Sequence, residues 1–122
     1  MSRTCLIAIV DDDPLVRDSI DSLVRSEGLA TAMFAGGREL LGFGRTDDVG
    51  CVVTDLNMPG MTGLELQGEV VKRGWRVPII FMTAFPTPEA QAQAMAAGAM
   101  RFLAKPVDPD ELLDAIAEAI AR

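Results

Sequence analysis

The sequence contains no histidine and no tyrosine, and only two cysteines, Cys5 and Cys51. Without histidine, Ser–His and Cys–His catalysis are excluded, as are His-ligated zinc and haem sites. Two cysteines cannot make a four-thiolate metal site or a disulfide framework. Each opens a short apolar run, so core packing is the expected role of both. Cations are scarce as well: 11 Lys and Arg face 18 Asp and Glu, for a net charge of −7. An acidic chain is a poor ligand for a polyanion, so direct nucleic-acid binding is not expected. Long apolar runs are also missing. Met1–Thr4 leads into Cys5–Val10 and then three aspartates, too short a run for a signal peptide or a bilayer span. No lipidation motif stands at either end. The expectation is a cytoplasmic protein with reduced cysteines and no membrane contact.

What is present is a globular composition, 49% hydrophobic and 24% charged, in 122 residues. That length suits one domain, residues 1–122, with one substantial core. Short apolar runs alternate with helical patterns. Strands are expected at Cys5–Val10, Leu29–Phe34, Cys51–Thr54, Pro78–Met82 and Met100–Ala104, the first and third as apolar runs of the kind buried on both faces. After the first comes Asp13-Pro14, an N-cap and a first-turn proline, with Leu15, Val16, Ile20, Leu23 and Val24 on one helical face. A weak helix is expected over Gly36–Phe43 and a polar loop over Gly44–Gly50. Further helices are expected from Leu64 to Arg73 and, Ala-rich, from Glu89 to Ala97. A last one follows Asp108, with Glu111 in capping-box spacing. Five βα units in a row imply an α/β fold: a doubly wound five-stranded parallel sheet, flavodoxin-like in its order 2-1-3-4-5, with helices on both faces.

In such a sheet ligands bind beyond the carboxyl ends of the strands, where the strand order switches. Strand one ends in Asp11, Asp12 and Asp13, strand three in Asp55, strand four in Thr83 and strand five in Lys105. Carboxylates crowded into one pocket resist ionising together, and a divalent cation resolves the repulsion. Oxygen ligands without histidine or thiolate suit Mg²⁺. Lys105 supplies a compact charge for phosphate, and Thr83 a hydroxyl donor. Asp55 is then placed as a carboxylate nucleophile toward a phosphoryl group.

Val10-Asp11-Asp12, the stretch Asp55-Leu56-Asn57-Met58-Pro59-Gly60-Met61-Thr62-Gly63, Thr83-Ala84 and Lys105-Pro106 together resemble a response-regulator receiver domain of two-component signalling. Ala94–Pro106 is most similar to receivers of the nitrogen-fixation regulators, which usually carry a helix-turn-helix output domain. The resemblance implies that Asp55 accepts the phosphoryl group and that Asp12 ligates Mg²⁺ directly, with Asp11 acting through water. It implies that the backbone carbonyl of Asn57 completes the metal site. Thr83 and Phe102 become the switch pair, Lys105 the phosphate-binding lysine, and Pro106 the proline after a cis bond. It further implies a histidine kinase or phosphotransfer protein as donor, since this chain has no histidine of its own. An output domain or partner protein would read a surface made by helix four, strand five and helix five, and a homodimer on phosphorylation is expected as an option. Such a chain is a switch rather than an enzyme.

Plainer readings stand beside these. Asp13 serves as a helix cap. Asp11 or Asp12 alone could solubilise a strand end, and Asp55 alone could form an Asx turn. Thr83 and Phe102 could be ordinary strand and core residues, and Lys105 a surface lysine. The Ala-rich fourth helix is either a partner surface or a merely exposed helix. Two rival functions use the same fold. An aspartyl-phosphate small-molecule phosphatase would take Asp11 as its nucleophile. A flavodoxin would have to bind the flavin phosphate against three aspartates.

Overall fold

The computed structural model describes residues 5–121; Met1–Thr4 and Arg122, with the leader reading that falls on them, lie outside the described residues. Five strands, β1 (Leu6–Val10), β2 (Ala30–Phe34), β3 (Val49–Asp55), β4 (Ile79–Thr83) and β5 (Arg101–Ala104), form one sheet in the order β2-β1-β3-β4-β5. Every pairing is parallel. Five helices connect and follow them: α1 (Pro14–Ser26), α2 (Gly37–Leu41), α3 (Gly63–Lys72), α4 (Pro88–Ala96) and α5 (Pro109–Ile120). This is the expected doubly wound order.

The central strands β1, β3 and β4 are buried on both faces because they carry apolar side chains at successive positions, and successive side chains point to opposite sides; the edge strands β2 and β5 are partly exposed. Ile7, Ile9, Val53, Ile80 and Met82 pack on Ile20 and Val24 of α1 and on Leu112 and Ile116 of α5. Ala8, Val10, Val52 and Phe81 pack on Leu40 of α2, Leu66 and Val70 of α3, and Ala94 of α4. Ala94 is the buried residue of α4, whose alanine side chains have little apolar area to offer the sheet.

The structure departs from the expectations mainly at element ends. Strand β1 begins at Leu6, where its pairing with β2 begins, so Cys5 stands outside the sheet and is exposed. Cys51 is the core cysteine, and burial, with a lesser contribution from Cys5, pushes its thiol up to about 12. Strand β3 starts two residues early, because Val49 pairs with Leu6 ahead of a register shift. A short 3-10 turn, Thr46–Asp48, occupies the expected loop, and α2 is shorter than expected. Its cap, Gly36, offers no side-chain acceptor. The capping box belongs to α3, where Thr62 and Glu65 cap each other reciprocally. At α5 Asp108 caps by accepting from Asp110 N–H, not from Glu111. Asp13 caps α1 as expected, accepting from Leu15 N–H.

One glycine is dictated by close approach. The Gly63 N–H donates to the Leu56 carbonyl at 2.8 Å. A Cβ on Gly63 would lie 2.7 Å from the Asp55 carbonyl oxygen and 2.9 Å from both Leu56 Cα and Phe81. The first turn of α3 therefore presses on the backbone that follows β3.

Two outcomes follow from this packing. Gly63→Ala is expected to lower stability in urea by about 1–3 kcal/mol, the usual cost of overpacking, and a change near zero would refute the close approach. In the native protein a thiol reagent at neutral pH is expected to modify Cys5 alone, with Cys51 reacting only after unfolding. The unfolded chain ionises the Cys51 thiol near 9.0 and the folded chain only near 12. Its contribution to stability is therefore full below pH 9 and drains away as pH rises toward 12.

Candidate functional site

The sheet register assembles the site. Val10 pairs with Thr54, which brings the next residues, Asp11 and Asp55, side by side. Asp55 pairs with Met82, next to Thr83, and Thr83 pairs with Ala104, next to Lys105. Backbone bonds extend the ladder beyond the strands: Leu56 N donates to the Met82 carbonyl and Lys105 N to the Thr83 carbonyl, both at 2.8 Å. The peptide bond between Lys105 and Pro106 is cis, as the resemblance implies.

Lys105 is the hub. Its Nζ lies 2.9 Å from Asp11 Oδ2 and 3.3 Å from Asp55 Oδ2. Asp11 is fully buried; its other oxygen accepts the Asp13 N–H at 2.9 Å, and its carbonyl accepts Arg17 Nη1 at 2.7 Å. Asp55 Oδ1 accepts the Asn57 N–H at 3.2 Å. Asp12 is exposed, and oxygens of Asp11, Asp12 and Asp55 all lie within 4.8 Å of one another. Lys105 therefore bridges two carboxylates, with a third beside them.

The titration behaviour follows. Burial raises the Asp55 carboxyl above its ordinary value; the charge of Asp11 adds to this, and the Asn57 N–H and Lys105 oppose it. Burial alone would lower Lys105, but its bonds and charges with Asp11 and Asp55 prevail and leave it raised. Lys105 thus stays protonated, one ammonium beside a cluster of three carboxyl groups. A divalent cation fits that donor set: clustered oxygens, one carboxylate reaching solvent, and a surplus of charge to neutralise.

Thr83 is buried and reaches the pocket's rim, but its hydroxyl faces another partner. Oγ1 donates to Asn57 Oδ1 at 2.9 Å and accepts the Phe85 N–H at 3.0 Å. The side chain of Asn57 is thus a pocket element that sequence reasoning missed, having assigned a role only to its carbonyl. Arg17, which braces the Asp11 carbonyl from α1, was missed too. Phe102 is not among the converging groups. It lies on β5, three residues before Lys105, pairs with Phe81 of β4, and is half-buried against the α2–α4 side of the core.

The fold and site define a class: doubly wound α/β proteins with an acidic, lysine-bridged pocket at the carboxyl edge of the sheet. The particular family follows from comparison. The model of the response regulator receiver domain matches residues 7–117. Nodulation protein W of Bradyrhizobium diazoefficiens is 37% identical over 121 residues, covering 99% of this chain and 53% of the relative. The transcriptional regulatory protein FixJ of Azorhizobium caulinodans is 36% identical over 122 residues, covering 100% of this chain and 58% of the relative. The response regulator StyR superposes with a TM-score of 0.90 at 37% identity, over 97% of this chain and 60% of that one. FixJ-N superposes with a TM-score of 0.88 at 32% identity, over 99% and 97%. The chain belongs to the response regulator receiver domain family, and its likeness to nitrogen-fixation-type regulators is as expected. It spans little more than half the length of those two relatives.

The Lys105 hub makes a stability prediction. Removing one partner of a buried ion pair usually costs about 3–5 kcal/mol, and the partial exposure of Lys105 puts this case nearer 2. Lys105→Met is expected to destabilise by that amount in urea. Adding Asp11→Asn should recover most of the loss, whereas a double variant no more stable than Lys105→Met would contradict the pairing.

Proposed function

We propose that residues 1–122 act as a phospho-accepting receiver whose nucleophile is Asp55. The observation that carries this reading is the placement of Asp55 Oδ2 3.3 Å from Lys105 Nζ, inside a cluster of three carboxylates. The donor is a phosphohistidine on a histidine kinase or phosphotransfer protein. An Asp55 carboxylate oxygen attacks phosphorus, a P–O bond forms and the P–N bond breaks. The imidazole leaves with the electron pair and is neutralised by a proton from water. Lys105 meets the charge on the phosphoryl oxygens, and rigid attachment of both groups to strand ends supplies the positioning. Asp11, Asp12, Asp55 and the carbonyl of Asn57 would hold Mg²⁺, which when bound supplies further neutralisation of phosphoryl charge.

Phosphorylation draws Thr83 inward and lets Phe102 bury more deeply, which biases the surface of α4, β5 and α5 between two states. That surface signals to an output domain or partner protein, with homodimerisation as one form of output. The chain catalyses only its own phosphotransfer and dephosphorylation, which makes it a switch rather than an enzyme. Among the described residues no helix is long and apolar enough to cross a membrane, in keeping with the cytoplasmic setting proposed for a kinase substrate. The net charge of −7 argues against direct nucleic-acid contact by this chain. The phosphatase alternative lacks an observation in its favour: Asp11, its nucleophile, is fully buried and already bonded to Lys105.

Incubation with acetyl phosphate and Mg²⁺ is expected to add one phosphoryl group by intact-mass spectrometry. Asp55→Asn and chelation by EDTA should each abolish the addition. A phosphoryl group on Asp11, or one that persists in Asp55→Asn, would overturn the assignment.

A further inference from the structure

A hydroxyl carries one proton, and in this structure the proton of Thr83 is committed. Oγ1 already accepts the N–H of Phe85 at 3.0 Å, so Asn57 Oδ1, 2.9 Å away, takes the remaining role of acceptor. To donate to a phosphoryl oxygen on Asp55, Thr83 must first leave Asn57. We infer that the side-chain amide of Asn57 is a latch that holds the Thr83 hydroxyl away from the phosphoryl position and so restrains the switch. This inference rests on the receiver reading of Asp55 and deepens it by naming what phosphorylation has to break.

The burial of the two partners makes the latch asymmetric. Thr83 is fully buried, so its hydroxyl cannot turn to bulk water when it loses a partner. Asn57 is exposed, so its freed amide is solvated at once. Opening is therefore unfavourable only until the hydroxyl finds another acceptor, and a phosphoryl oxygen is a better acceptor than an amide because it is charged. The Asn57 backbone is independently fixed, since its N–H donates to Asp55 Oδ1 at 3.2 Å. One residue thus binds the nucleophile through its backbone and the switch hydroxyl through its side chain. Asn57 acts through Thr83 and is a positioning residue, not a catalytic one.

Removing the amide oxygen leaves the Thr83 hydroxyl with an unmet proton in the resting state. Asn57→Ala keeps the backbone N–H and carbonyl and should favour the state in which Thr83 turns inward. A typical net hydrogen bond corresponds to a factor of about five in an equilibrium constant.

The test is a double-mutant cycle in beryllofluoride binding with Mg²⁺, followed by amide NMR of the purified chain. Asn57→Ala is expected to tighten half-saturation about fivefold, and to do so again in a Thr83→Ser background, which keeps the hydroxyl. In a Thr83→Val background the same substitution should change it less than twofold. Tightening of equal size with and without the hydroxyl would overturn the latch, as would no tightening in Asn57→Ala. A wild-type chain with no Mg²⁺-dependent response at Asp55, Thr83 and Lys105 would instead overturn the receiver reading, and the latch with it. A ligand-free measurement separates the two. The Thr83 hydroxyl proton should be slow to exchange and show a nuclear Overhauser effect to Asn57. In Asn57→Ala its resonance should move upfield as the bond is lost, and a resonance unchanged in position would contradict the latch whatever the mimic does.

Discussion

The ammonium of Lys105 between Asp11 and Asp55 is the interaction on which the rest of the site depends. Each of the three sits just past, or at the end of, a different strand, so the ion pairs report directly on sheet register. A slip of one residue in β3 would carry Asp55 to the other face of the sheet. The pair with Asp11 is the more deeply buried, and it explains why that carboxylate tolerates complete removal from solvent. The pair with Asp55 is longer and shares its lysine, so Asp55 remains the less satisfied of the two, with its carboxyl raised by burial. The structure thus distributes one cation unequally and leaves its surplus of negative charge around the residue proposed to react.

That imbalance joins the fold to the function. A pocket neutralised completely by its own side chains would have little affinity for an added cation and no anion site to spare. Lys105 pairs closely with the buried Asp11 and less closely with Asp55, and the exposed Asp12 stands beside both. The hydroxyl of Thr83 donates to Asn57 in this structure, the bond that the proposed switch would have to exchange.

Most of the architecture was legible because every central strand is buried on both faces and therefore reads as an unbroken apolar run. Asp11, Asp55, Thr83 and Lys105 were legible for a related reason: in a parallel sheet the residue that ends an apolar run stands at the binding edge. Positions set by contacts between distant backbones were not legible. The extension of β3 to Val49 depends on a register shift opposite Leu6, and the exposure of Cys5 on where β1 begins to pair. The side-chain role of Asn57 depends on how the loop after β3 turns back, and Gly63 controls that turn through its contact with the Asp55 and Leu56 backbone. Helix propensity could not show that α3, rather than α5, carries the reciprocal cap, because both have the spacing and only the loop geometry selects between them.

The central claim is that Asp55, backed by Lys105, is the acceptor in this pocket. A crystal structure of the chain grown with Mg²⁺ and beryllofluoride tests it most directly. The account predicts beryllium bonded to an Asp55 carboxylate oxygen, with one fluorine against Lys105 Nζ and another against the Thr83 hydroxyl. Beryllium on Asp11, or a complex in which Lys105 remains paired with both carboxylates and touches no fluorine, would contradict it.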